Sequence, residues 1–192
     1  VVEQIRQRFA GERIDNRLVS LFDPDARPIR KGKKSNPNQF GSMVQYTELS
    51  AHTRRGARGL LLPPTLGVGS VHEDVLLPET VAELIDLDLR PQEAVFDRGF
   101  STKATLAIMA PLGSKVFIAG SPKNSGSRRT QRRVASHRVG CEGRISHIKR
   151  EYDADRSRLK GATGALIWAA WVGLAYDLDT VARLPVKRPE IL

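Results

Sequence analysis

The segment Glu93-Ala94-Val95-Phe96-Asp97-Arg98-Gly99-Phe100 constrains this chain more than any other. It reads as a short apolar strand that delivers an aspartate at its C-terminal end, just before a glycine turn. Helical patterns lie on both sides of it. Before it, Asp74 is placed to cap a helix running to about Asp88, with Pro78 early enough to be tolerated and Val81, Leu84 and Ile85 forming an inward face. After it come a helix over about Thr102 to Ala110 and a second strand, Lys115 to Ala119. Helices alternating with short apolar strands predict an α/β fold, and a carboxylate at a strand C-terminus faces the open edge where such sheets do their chemistry.

The remaining segments add strands ahead of this unit and helices behind it. Val1 to Arg13 has helix-forming composition, and Leu18 to Phe22 reads as a strand stopped by the turn Asp23-Pro24-Asp25. Arg27 to Asn38 mixes five cations with prolines and a glycine, which predicts an exposed basic loop. Phe40 to Leu49 and Leu60 to Leu62 are the next strands, and Gly120 to Ser127 is a loop. From Arg128 to about Arg150 the chain reads as one basic helix, weakened by Gly140 and Gly143 at roughly 1 kcal/mol each. Ala162 to Val181 closes the chain as an apolar helix with Trp168 and Trp171 as core residues. Its most apolar part, Ala162 to Leu178, is broken by Thr163, Gly164, Gly173 and Asp177, which favours a core helix over a membrane span of about 20 residues. The expected organisation is a helical segment over 1–17, one domain over 18–182 and a tail over 183–192. The chain opens on Val1, without methionine and inside a charged helical pattern, so it is expected to begin within a longer protein.

Charge narrows the partner. Thirty-one Lys and Arg against 21 Asp and Glu leave +10, which favours a polyanion, nucleic acid before membrane. One cysteine, Cys141, excludes an internal disulfide and a multi-cysteine zinc site, and suits a reducing cytoplasm. Residues 1–10 have no apolar core of a signal peptide.

On a helix, Arg138, Glu142, Ile145 and Lys149 fall in one stripe, with a carboxylate between two cations. Alone, Arg138 and Glu142 read first as an i,i+4 surface pair. Together with the strand-end aspartate they carry a resemblance. Asp97-Arg98-Gly99-Phe100 resembles the second-aspartate motif of DDE insertion-sequence transposases, and Arg138 to Arg150 resembles their glutamate helix. In the group with a Tyr-x2-Arg-x3-Glu-x6-Lys signature, Arg138, Glu142 and Lys149 stand at the Arg, Glu and Lys positions, and Ala135 stands at the Tyr position. Phe22 to Lys33 and Arg156 to Gly161 are similar to other segments of these proteins, so the resemblance runs from about Arg17 to Asp179. Met43 departs from it, where such proteins tend to carry lysine.

The resemblance implies a ribonuclease H-like fold, a mixed sheet flanked by helices and incomplete at its N-terminus. It implies a bacterial DNA transposition enzyme, cytoplasmic and nucleoid-associated, acting on transposon ends and target DNA. Asp97 and Glu142 would be catalytic and would bind Mg²⁺ or Mn²⁺. The first of the family's three carboxylates is expected upstream of Leu18, with Asp23 as the internal substitute. DNA contacts are expected from Arg138, Lys149, Arg144, Arg128, Arg129, Arg132, Arg133 and Lys31, and a homo-oligomer on DNA is a further expectation.

Two other readings stay open: a remnant that binds DNA without cutting it, and an unrelated basic RNA-binding protein. The second would call for an exposed aromatic sheet face, to which 6% aromatic residues lend little. His147, about 140° round the helix from Glu142, is expected on the surface or facing DNA. His52, His72 and His137 lack metal-ligand spacing, and Cys141 has no histidine partner for thiol chemistry.

Overall fold

The computed structural model describes residues 1–15, 17–30, 38–50, 58–119 and 126–183. It is a mixed α/β structure built from five α-helices and three small sheets among those residues, with no closed barrel. Helix α1 is Val2–Phe9. The strands β1 (Arg27–Arg30), β2 (Asn38–Gln45) and β5 (Thr65–Val68) form an antiparallel sheet in which β1 pairs with residues 38–41 of β2, and β5 with residues 42–45. Strands β3 (Glu48–Leu49) and β4 (Leu60–Leu61) make a two-stranded ladder. Helix α2 (Glu73–Asp86) then leads into β6 (Glu93–Phe96), α3 (Thr102–Met109), a 3-10 turn and β7 (Lys115–Ile118). Strands β6 and β7 are parallel, as a strand-helix-strand crossover requires. Two long helices follow, α4 (Arg128–Glu151) and α5 (Gly161–Ala182).

The strand that carries Asp97, both helices flanking it and both long helices lie where the sequence places them. Three other expectations are corrected, and one strand was not expected. Leu18 to Phe22 is irregular, because the Ser20 hydroxyl accepts from the backbone N–H of both Phe22 and Asp23 and so offers the chain a local turn in place of a ladder. The first strand comes later, inside the run taken for a basic loop. Residues Arg27 to Arg30 alternate with Ile29 buried, a period of two hidden by the charge around it, while residues 31–37, Lys31 among them, lie outside the described residues. His52, most of the Gly120 to Ser127 loop and the tail from residue 184 also lie outside them. His72, not Asp74, caps α2. Strand β5, which follows Pro63-Pro64 directly, had no expectation at all.

Two clusters form the core. Leu77, Val81 and Leu84 of α2 pack with Met109, Leu112, Val116 and Ile118, and so clamp α2 against the parallel pair. The other cluster joins the two long helices to the antiparallel strands through Ile148, Val172 and Tyr176, with Tyr46, Leu61 and Trp168 around them. Tyr46 Oη donates to Ala169 O at 3.0 Å, and Asp177 Oδ1 accepts from Leu61 N at 2.8 Å. Both bonds tie α5, which runs unbroken through Gly173 and Asp177, to the antiparallel strand region. Trp168 is half-buried, but Trp171 is 63% exposed, which corrects the reading of both tryptophans as core. Of the described helices only α5 is long and apolar enough to cross a membrane, with 28% of its most apolar window buried.

Candidate functional site

Phe96 ends β6 opposite Ile118, and its carbonyl accepts from Ala119 N at 2.9 Å. The chain then turns tightly, with Phe100 N donating to Asp97 O and the rings of Phe96 and Phe100 5.0 Å apart. This turn leaves the Asp97 side chain half-exposed at the strand end. A Cβ at Gly99 would lie 2.1 Å from Glu73 Oε2, so a larger residue there would push the Glu73 carboxylate aside. Asp74, the next residue of α2, holds the turn from the other side by accepting from Ser101 N at 3.1 Å and from the Thr105 hydroxyl at 3.2 Å.

Helix α4 crosses this edge. Arg138 Nε donates to Asp97 Oδ1 at 2.9 Å, and its Nη2 meets Glu142 Oε1 at the same distance. One guanidinium, 41 positions from Asp97 in sequence, thus joins the strand-end aspartate to the helix glutamate. All three side chains are 42–57% exposed, so each bond contributes only a fraction of a kcal/mol, about 0.3–0.5 for an i,i+4 pair, and the cluster remains open to a ligand.

Glu73 is the carboxylate that the sequence reading missed. Its Oε2 is buried with no hydrogen-bond partner, and burial first, then the negative charge of Asp97, pushes its pKa above the usual carboxylate range. His72 opposes that shift and Asp74 adds to it. No local signal marks Glu73, since an acidic residue in the first turn of a helix is ordinary capping composition. Its place beside Asp97 is a tertiary fact.

The other expected residues separate into two groups. Arg128, Arg129 and Arg132 are exposed on the first turns of α4, and Lys149 is exposed near its end. Arg133 and Arg144 point inward. Arg133 makes a bidentate pair with Glu93, the first residue of β6, and this pair holds the Glu93 pKa below its usual value. Arg144 pairs with Glu48 of β3, both side chains about a tenth exposed, and also donates to Cys141 Sγ. Asp23, the internal substitute for a first carboxylate, accepts from Gly161 N at 3.3 Å, and Asp25 accepts from Ala162 N at 3.0 Å. The pair therefore satisfies N–H groups that the start of α5 leaves open, and Gly161 takes a φ of 75° beside the Asp25 carboxylate. His147 is half-buried, its ring edge-on to Tyr152 and Tyr176 and its Nε2 3.0 Å from Arg58, so it faces the interior, not DNA.

Searches against protein-family models, curated proteins and solved structures found no match to this chain. Cys141 gains no role: burial raises its pKa, and it lies on a polar inner face between Arg144 and Glu48. Burial, followed by the charge of Arg144, lowers the pKa of His137 on the same face. Among the described residues no group of three or more His, Cys, Asp or Glu is arranged to hold a metal ion.

Proposed function

We propose that this chain is part of a DDE-type insertion-sequence transposase with a ribonuclease H-like core, and that Asp97 and Glu142 are its second and third carboxylates. The observation that carries this reading is the meeting of Asp97 and Glu142 at one guanidinium, at the end of a parallel strand and on a long basic helix. Both offer hard oxygen donors, the kind Mg²⁺ or Mn²⁺ takes, and Arg138 already places positive charge between them. These two residues would hold the metal. Once bound, it would activate water or a DNA 3′-hydroxyl and stabilise the leaving oxygen of a phosphodiester.

The chain's own contribution is to hold the two carboxylates at an exposed edge and bring DNA to them. Arg128, Arg129 and Arg132 sit at the positive end of the α4 dipole, where cations cost a few tenths of a kcal/mol each. They make no ion pair among the described residues, and phosphate oxygens are the partners that would offset that cost. Transposon ends and target DNA are the proposed substrates, in the bacterial cytoplasm.

A second reading, a chain that binds DNA without cutting it, rests on the two-carboxylate count and on Arg138 already bridging that pair. Cleavage and binding assays on end-labelled transposon-end DNA separate the two. The 192-residue chain should bind DNA in a steeply salt-dependent way, with little or no Mg²⁺-dependent cleavage. A version extended by an upstream strand ending in aspartate should cut, and Glu142→Ala should abolish cutting while binding persists. An extended chain that binds but never cuts would leave the DNA-binding reading in place. Binding that ignores salt would remove both.

A further inference from the structure

The β1–β2 hairpin buries Ile29 on one face and leaves the other face open. In an antiparallel pair, residues opposite each other and residues two apart share a face, so Pro28 and Arg30 of β1 stand beside Phe40 and Asn38 of β2. All four are exposed, Phe40 by 62%. Residues 17–19 run along this face and close it into a cleft of about 480 Å³, within the size range of small-ligand sites. That wall is held in place. The Gln4 amide of α1, oxygen toward Leu18 N at 2.5 Å and nitrogen toward Leu18 O at 3.3 Å, satisfies both backbone groups of Leu18.

We propose that this cleft holds a nucleotide of single-stranded DNA, its base stacked on Phe40 and its flanking phosphates on Arg17 and Arg30. Charge selects the phosphate: both arginines are exposed without an ion pair among the described residues, and no acidic residue lines the cleft. Shape selects the base. Phe40 presents a bare aromatic face, and Arg30 is its diagonal neighbour across the ladder, roughly 7–8 Å away, so one nucleotide can reach both. Within a duplex each base face is already stacked on its neighbours, so the strand must be unpaired. An acidic peptide would suit the arginines but has no ring to lay on Phe40. For deoxyribose over ribose the proposal rests on the function proposed above; for base and phosphate it rests on the cleft. No residue of α4 lines the cleft, so binding there requires neither the exposed arginines of that helix nor cleavage.

Fluorescence anisotropy of the 192-residue chain with a labelled oligo(dT) of about ten nucleotides tests this, beside duplex DNA of equal length, oligo(rU) and poly-glutamate. Phe40→Ala should weaken oligo(dT) roughly tenfold, the loss of one stacked base, and leave duplex affinity within about twofold, whereas Phe40→Trp should keep the oligo(dT) affinity. Arg17→Gln and Arg30→Gln should each lower the slope of log affinity for oligo(dT) against log salt by about 0.7. All three positions are exposed, so helical circular dichroism should be retained. A 5-iodouracil in the strand gives a reading on the unsubstituted chain, a photo-cross-link to Phe40 located by mass spectrometry. Four results overturn the proposal: oligo(dT) affinity unchanged in Phe40→Ala, an equal loss for duplex, tighter Phe40-dependent binding of oligo(rU) or poly-glutamate, or a cross-link outside the cleft. An extended chain that cuts while its oligo(dT) binding ignores Phe40 removes the cleft alone. Phe40-dependent binding by an extended chain that never cuts removes the cutting enzyme alone.

Discussion

Helix α4 carries two populations of cation that the sequence writes alike. Arg133, Arg138 and Arg144 are each fastened to a carboxylate delivered by a strand or its end: Glu93, Asp97 and Glu48. Arg128, Arg129, Arg132 and Lys149 stand exposed with no ion pair among the described residues. The difference shows that positive charge does two jobs on one helix. The inward Arg133 and Arg144 tie α4 to the sheets, Arg138 on the open side bridges the candidate carboxylates, and the unpaired cations are left over for a polyanion. Desolvation separates the two jobs, since a guanidinium a tenth exposed must have a partner, whereas an exposed one needs none.

The sharpest way to break this comparison is to remove an inward arginine. Arg144→Ala leaves Glu48 buried without its partner and should cost roughly 3–5 kcal/mol, on the order of 10 °C in Tm, measured by thermal unfolding. Replacing both with leucine should recover most of that loss. If Arg144→Ala unfolds at the wild-type temperature, the inward and outward arginines are not distinct populations.

The outward group is tested by salt. Changing Arg128, Arg129 and Arg132 together to glutamine should leave Tm within about 2 °C, but lower the slope of log affinity against log salt by about two to three, at roughly 0.9 for each phosphate no longer neutralised. An unchanged slope would assign DNA binding to another surface.

The smallest effect concerns Glu73. Its folded-state pKa is raised, so its contribution to stability is fully present below the unfolded value and is lost as pH rises through the folded one. Glutamine stays neutral throughout. Glu73→Gln should therefore raise Tm slightly at pH 7, on the order of 1–2 °C after solvent screening, and change nothing near pH 4. A loss of stability at pH 7 would mean that the carboxylate is held ionised by a cation, which would favour a metal beside Asp97.

Much of the fold is legible in the sequence, because its signals are local. The short apolar run ending in Asp97 is a strand, and the long basic and apolar stretches are helices α4 and α5. The stripe Arg138, Glu142, Ile145 and Lys149 does lie along one side of α4, but it is the exposed side, with Ile145 half in solvent. The buried side holds Val134 and Ile148 with arginines, histidines and a cysteine between them, so hydrophobic periodicity cannot mark which face turns inward. The same weakness hid β1, whose single buried residue sits within a run of cations.

Residue type and spacing by themselves determined the strand that ends in Asp97, the helix that carries Glu142 and the charge that favours a polyanionic partner. Only the tertiary structure decided which arginines are paired, that Glu73 lies against Gly99 beside Asp97, that Asp23 serves the start of α5, and that the outer face of α5 stands bare. The reason is distance along the chain. Backbone periodicity couples residues two to four apart, whereas the contacts that decide these points join residues 41, 96 and 138 positions apart, and they form only once the packing of helix on sheet has brought them together.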